Sequence, residues 1–165
     1  MKPFDTTSAC PASAPLRFQP ANPQDAAAFI TLRGQTRQNA VTAERLAEFG
    51  ITAASWAALM RSGNLPGHTC YRDGQLAGYC FGDLETGEII VLALLPEAEG
   101  LGAGKKLLSL VMQDLHAHGH QRLFLGCSSD PASRSYGFYR HLGWTSTGET
   151  DAHGDEVLEF RYGQA

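Results

Sequence analysis

Residues 88–118 read EIIVLALLPEAEGLGAGKKLLSLVMQDLHAH, and the fold turns on how this stretch divides. Glu88 to Leu95 is a nearly continuous apolar run, which predicts a central strand buried on both faces and ended by Pro96. Glu99 to Lys105 (EGLGAGK) is a glycine-rich loop. A long helix follows to His118, stopped by Gly119. Leu107, Val111 and Leu115 share one face of that helix, and Leu108 and Met112 widen it. Lys106, Ser109, Gln113 and His116 lie away from it. Backbone N–H groups at a helix start have no partner within the helix, and the helix dipole makes them attractive to an anion. Glycines let such a backbone approach a phosphate without Cβ atoms intervening, and Lys105 sits at the same end. The loop does not match G-x-x-x-x-G-K-S/T. Its flanks are mostly hairpins rather than parallel βαβ units, which argues against a dinucleotide site.

Working outward, Thr69–Arg72 and Gln75–Leu84 flank Asp73-Gly74, a strong hairpin signal, and Glu85-Thr86-Gly87 makes the next turn. Upstream, Leu16–Gln19 alternates as a first strand. Asn22-Pro23 opens a helix to about residue 35, a second helix starts at Thr42 and stops at Gly50, and a third runs from near Thr52 to Gly63. Downstream come a buried strand (Arg122–Cys127), a short helix (Ser133–Leu142) and a final hairpin with residues 151–155 at its tip and Val157–Tyr162 as last strand. Residues 1–15, rich in Pro, Ser, Thr and Ala, read as a flexible tail, leaving 16–165 as one domain without internal repeats.

Composition narrows the function. With 43% apolar and 18% charged residues among 165, the chain is globular in type, and it has no apolar run of membrane-spanning length. A net charge of −4 argues against a nucleic-acid partner. The charge is uneven: residues 1–61 hold six basic and four acidic side chains, residues 62–165 seven and thirteen. A site in the acidic part suits a cationic ligand, although a solvated acidic surface gives the same count. Cys10, Cys70, Cys80 and Cys127 are scattered with no C-x-x-C pair, which fits a reducing cytoplasm and small buried hydrophobes. His116, His118 and His120 do not share a helix face, so no metal site is expected.

ALLPEAEGLGAGKKLL, followed at the right distance by GFYRHLGW (Gly137 to Trp144), resembles the GNAT superfamily of acetyl-CoA-dependent N-acyltransferases. The resemblance covers residues 68–150 well. It implies an α+β fold with a mixed, mostly antiparallel central sheet of six or seven strands, four or five helices, and a splay at the central strand. It further implies that Gly100, Leu101, Gly102, Ala103, Gly104 and Lys105 bind the coenzyme pyrophosphate through main-chain N–H groups. Leu92, Ala93 and Leu94 would pair with the pantetheine arm, in a slot opening toward Leu123–Cys127.

The implied activity is direct transfer of an acetyl group from acetyl-CoA to a primary amine. The acidic C-terminal part favours a cationic small molecule, and the acceptor itself is left open. Tyr139 occupies the family's tyrosine and is the expected acid for the leaving thiolate. Glu88, at the mouth of the apolar strand, is the expected base, with Asp83 and Glu85 as alternatives on the same turn. Two positions depart from the family pattern. Glu99 replaces an Arg or Gln and is expected to face solvent, since a carboxylate aimed at the pyrophosphate would repel it. Ala132 replaces an Asn, for which Ser133 is a weak stand-in. The family often dimerises, so a homodimer is one possible assembly. Two rival readings remain: a non-catalytic CoA-binding or sensory module, and a thiol hydrolase using Cys127 with His141.

Overall fold

The computed structural model describes residues 15–38 and 40–163. The tail reading therefore lies almost wholly outside the described residues. Strand β1 (Arg17–Pro20) leads through a short 3-10 turn (Pro23–Asp25) into α1 (Ala26–Arg33). The Asn22 side chain caps that turn by accepting from the Gln24 N–H at 2.9 Å. Helices α2 (Ala43–Glu48) and α3 (Ala53–Arg61) start where the threonines predict: Thr42 accepts from Arg45 N–H, and Thr52 forms a capping box with Ser55.

Strands β2 (Gly67–Arg72) and β3 (Gln75–Gly82) form the expected hairpin. Asp73 and Gly74, at φ 54° and 75°, supply the two left-handed residues that a tight turn of this hand needs. Strand β4 (Ile89–Leu94) completes an antiparallel sheet in the order β1-β2-β3-β4. Helix α4 (Ala103–Ala117) crosses back to β5 (Arg122–Cys127). Helix α5 (Arg134–His141) then leads into β6 (Thr145–Thr150) and β7 (Glu156–Arg161), giving a second sheet in the order β5-β7-β6. Seven strands and five α-helices among the described residues thus agree with the expected α+β architecture.

The core has two halves, one on each face of the first sheet. On one face, Leu107, Leu108, Val111 and Leu115 of α4 pack on Cys70 and Cys80 and reach Leu123, Leu125 and Leu158 of the second sheet. The apolar stripe read from the sequence is therefore the buried stripe. On the other face, Phe29, Leu32 and Trp56 from α1 and α3 close over Tyr79, Phe81 and Ala93. Phe81 is the hub, with Phe29 and Trp56 edge-on to its ring at 5.3 and 5.4 Å. Cys70, Cys80 and Cys127 are buried and unpaired, as their apolar surroundings predict.

Among the described residues, strands of the two sheets pair at one place. Glu88 bridges Phe124 in parallel, and the Phe124 N–H donates to the Gly87 carbonyl at 3.2 Å. Beyond that bridge β4 and β5 do not pair. Helix α4 ties both sheets into one core, so truncating its central contact should destabilise the whole domain. Leu107→Ala is expected to lose about 2–5 kcal/mol of unfolding free energy, the usual range for a fully buried leucine. A urea titration of wild type and variant checks this. A loss well below about 1 kcal/mol would mean that α4 is not the shared wall.

Candidate active site

The open edge of β4 follows from its hydrogen bonding. Leu95 N–H donates to the Ala77 carbonyl at 2.8 Å, so Leu95 faces β3, and antiparallel alternation turns Ala93 the same way. The main-chain groups of Leu92 and Leu94 then point to the side where β5 has diverged. The register explains the divergence. Phe81 pairs with Val91 and Gly82 with Ile89, so Ile90 is an extra, bulged residue, with 38% of its surface exposed. A bulge bends its strand and raises its twist. The run EIIVLALL carried no signal for the bulge, because no glycine, proline or polar residue interrupts it around Ile90.

The glycine loop sits at the end of this slot. After a 3-10 turn (Pro96–Ala98), Gly100 and Gly102 adopt φ 79° and 81°, which only glycine takes readily, and Gly102 caps α4. Lys106 N–H is the first to reach back, to the Gly102 carbonyl at 3.1 Å. The N–H groups of Ala103, Gly104 and Lys105 stand ahead of it with no acceptor among the described residues. Lys105 and Leu101 are exposed there. The glycines divide in function. A Cβ on Gly102 would enter open space, whereas one on Gly104 would touch Leu94 and Phe138 at 3.4 Å. Gly104 is therefore a close-packing position that lets α5 lie against the first turn of α4.

Glu99, one of the two departures from the family pattern, is placed differently from expectation, and Ser133, beside the other, has a local structural role. Glu99 does not face solvent. Its side chain is only 14% exposed and is held by Arg37 at 2.8 Å, with Arg134 at 3.7 Å. Two guanidinium groups from distant segments attract it inward. Ser133 caps α5: its hydroxyl accepts from Tyr136 N–H at 3.3 Å and donates to the Asp130 carbonyl at 2.9 Å. Its proton is thus already engaged.

Glu88 lies half-buried at the closed end of the slot. Burial pushes its carboxyl above the ordinary range, the nearby carboxylates of Asp83 and Asp151 add to this, and His153 opposes it. Asp83 is committed elsewhere, with one carboxylate oxygen accepting from Glu85 N–H, Thr86 N–H and the Asn64 amide. Glu85 is exposed.

Asp151, Asp155 and His153 were missed as site residues by the sequence reading, which saw only a hairpin tip. Asp151 accepts from the His153 and Asp155 N–H groups at 2.9 and 3.0 Å, which shapes the tip. Its other oxygen lies over Gly126 of β5, where a Cβ would collide with it. A glycine inside the strand RLFLGC was the available signal of a close approach. Phe49, at the end of α2, meets His153 edge-on with ring centroids 6.3 Å apart, so α2 and the hairpin tip touch on this side.

Tyr139 enters from α5 and is 8% exposed, packed edge-on against Phe138 and Trp144. Its hydroxyl makes no hydrogen bond among the described residues. Burial first, then the neighbouring Cys80 and Cys127 thiols, push the phenol well above its ordinary value, so it remains protonated. Cys80 pairs with Leu92 across the β3–β4 ladder and Cys127 ends β5, which places the hydroxyl at the level where the sheets separate.

The Cys127 thiol is raised mainly by burial, which disfavours the thiolate, and no imidazole contacts it among the described residues. His116 stacks on Tyr162 at 3.8 Å, and His120 donates to the Leu84 carbonyl at 2.6 Å, so these rings close off a strand end. A separate cavity of about 330 Å³, lined in part by Met60, Leu65, His68 and Asp114, shares no residue with the slot.

The acetyltransferase (GNAT) family model matches residues 31–144. The chain belongs to this family. The GNAT match spans the slot, the glycine loop and α5. Solved structures agree in fold. The PaiA N-acetyltransferase of Thermoplasma acidophilum, in complex with coenzyme A, superposes with a TM-score of 0.75 at 17% identity, covering 90% of this chain and 99% of that one. YncA of Salmonella typhimurium, with its cofactor acetyl-CoA, gives 0.69 at 18% identity over 92% and 96%. The ribosomal-protein-S18-alanine N-acetyltransferase of Escherichia coli gives 0.66 at 14% over 91% and 96%. No curated protein matches the sequence significantly.

The strained ionisation of Glu88 has a thermodynamic signature. Its raised folded-state value means that its stabilising contribution is complete below the ordinary carboxylate range and is lost as pH rises through the raised value. Glu88→Gln should therefore melt higher than wild type at about pH 7. The difference should vanish below about pH 4, where both states carry a protonated carboxyl. Thermal melts at both pH values decide the matter, and a difference independent of pH would contradict the raised ionisation.

Proposed function

We propose that this GNAT protein transfers an acetyl group from acetyl-CoA to the amine of a cationic small molecule, in one direct step. The observation that carries the reading is the split between β4 and β5. A slot with one open strand edge ends on a half-buried carboxyl at Glu88, and a buried phenol at Tyr139, without a hydrogen-bond partner among the described residues, lies at the level where it opens. Acetyl-CoA brings the activated acyl group. The N–H groups of Gly100 to Lys105 hold the pyrophosphate, and the open edge at Leu92 to Leu94 aligns the pantetheine amides as an added strand.

Ammonium cannot attack a thioester, so a proton must leave the amine first. Glu88, with a raised carboxyl, accepts it at its carboxylate, directly or through one water. Tyr139 keeps its proton at neutral pH and presents it to the departing sulfur. Asp83 and Asp151 put negative charge beside Glu88, which draws a cation to that end of the slot. Buried free thiols suit a reducing compartment, and no described helix is long and apolar enough to cross a membrane.

Free-thiol release from acetyl-CoA across a panel of amino-sugars, polyamines and amino-acid derivatives tests the reading. Release that depends on an amine supports it. Coenzyme binding without turnover on any amine points to a non-catalytic module, and release without amine points to hydrolysis.

Gly102→Val puts a branched side chain on a left-handed residue that faces open space. It is expected to weaken coenzyme A binding at least about tenfold, or 1.4 kcal/mol, with the folded circular-dichroism spectrum retained. Unchanged affinity by calorimetry would remove the loop from the coenzyme site.

Tyr139→Phe and Glu88→Gln should fail on different steps. The first keeps the ring and loses no protein hydrogen bond, so stability and acetyl-CoA affinity should survive while turnover falls about 10²-fold. The second should abolish the fall in wild-type turnover at low pH, which tracks protonation of Glu88. Its deficit should shrink at high pH, where more amine is already neutral. Full turnover in Tyr139→Phe, or a pH-independent deficit in Glu88→Gln, reassigns the corresponding role.

A further inference from the structure

The charge cluster at Glu99 joins three segments that are remote in sequence. Arg37 comes from the segment after α1, Glu99 from the approach to the glycine loop, and Arg134 from the first residue of α5. Gln38 strengthens the junction, its side-chain carbonyl accepting from the Arg134 main-chain N–H at 3.1 Å. Phe138, one turn along α5, packs beside Gly104 in the first turn of α4. The starts of α4 and α5 are therefore neighbours, and the cluster lies at the rim of the loop with its orphan N–H groups.

The two arginines are not used up by Glu99. Arg37 donates only its Nε, at 2.8 Å, and its terminal nitrogens have no acceptor among the described residues. Arg134 approaches with one terminal nitrogen at 3.7 Å, outside hydrogen-bond range. Their side chains are 56% and 60% exposed, whereas that of Glu99 is 14% exposed. The carboxylate is thus the covered member of the trio, the guanidinium groups are the presented ones, and the trio carries a net positive charge. A planar guanidinium with free N–H groups is suited to phosphate.

We infer that Arg37 and Arg134 form a phosphate clamp at the rim of the glycine loop, and that Glu99 is the positioning residue which aligns them. The inference rests on the acetyl-CoA reading. It assigns a positive role to the residue whose charge, read alone, opposes coenzyme binding. Holding two long side chains in one place before the ligand arrives reduces the ordering left for binding. The clamp also links the segment after α1 to coenzyme occupancy, because Arg37 and Gln38 lie on it. Coenzyme A offers two sources of phosphate, the pyrophosphate and the 3′-phosphate of the ribose.

Calorimetric titration with coenzyme A and with 3′-dephospho-coenzyme A tests the clamp. Arg37→Gln and Arg134→Gln should each weaken coenzyme A about three- to fivefold, the effect of one exposed ion pair, and each should flatten the salt dependence of the affinity. Arg134→Lys should recover part of the loss. Glu99→Gln should weaken binding as well, and in that background the arginine substitutions should add little. An equal loss for both ligands places the clamp on the pyrophosphate. A loss confined to coenzyme A places it on the 3′-phosphate. Wild-type affinity in both arginine variants, with unchanged melting temperatures, overturns the clamp. Tighter binding by Glu99→Gln overturns the positioning role. Failure of the wild type to bind coenzyme A at all would instead refute the acetyl-CoA reading.

Discussion

One strand pairing stops after a single step, and the rest of the site depends on it. Glu88 and Phe124 hold β4 and β5 together, and the bulge at Ile90 then turns β4 away. Had the ladder continued, the seven strands would close into one sheet with no room for a ligand. Because it stops, main-chain groups of Leu92 and Leu94 lack strand partners among the described residues, at the edge of a largely apolar wall. A buried polar group left unpaired costs about 1–3 kcal/mol, so such an edge favours a ligand that can supply the missing hydrogen bonds. Helix α4 makes the interruption tolerable by packing Leu107, Val111 and Leu115 under both sheets.

Burial acts on Glu88 and Tyr139 with the same sign and opposite consequences. Each is pushed toward its neutral form. For a phenol, neutrality means a retained proton, which is what an acid needs. For a carboxylate, it means a stronger attraction for a proton, which is what a base needs near neutral pH. The two environments differ in their neighbours. Tyr139 sits among aromatic rings and thiols, whereas Glu88 faces Asp83 and Asp151. The crowding of like charge around Glu88 burdens the fold and makes that end of the slot acidic.

The glycine-loop end is organised by the opposite device. There a carboxylate, Glu99, is enclosed by two guanidinium groups, so its charge is neutralised locally and the outward field stays positive. The protein thus separates its charges along one slot, with cationic groups where the loop turns and anionic groups where the strands converge.

How much of this was legible in the sequence follows from the range of the interactions. Strands, helices and caps were readable because Asn22, Thr42, Thr52, Asp73-Gly74 and Gly102 act on backbone within a few residues, and the α4 stripe repeats at helical spacing. The paired motifs at the glycine loop and at Tyr139 pointed to the family for the same reason. The orientation of Glu99 was not readable, since it depends on Arg37 and Arg134, 62 residues before and 35 after in chain order. Asp151 likewise joins the site only through the fold, by lying over Gly126. Side-chain chemistry and local turns belong to the sequence alone. The meeting of distant charges, and the bulge that decides where two strands part, required the tertiary structure, because each depends on groups that only packing brings within a few ångströms.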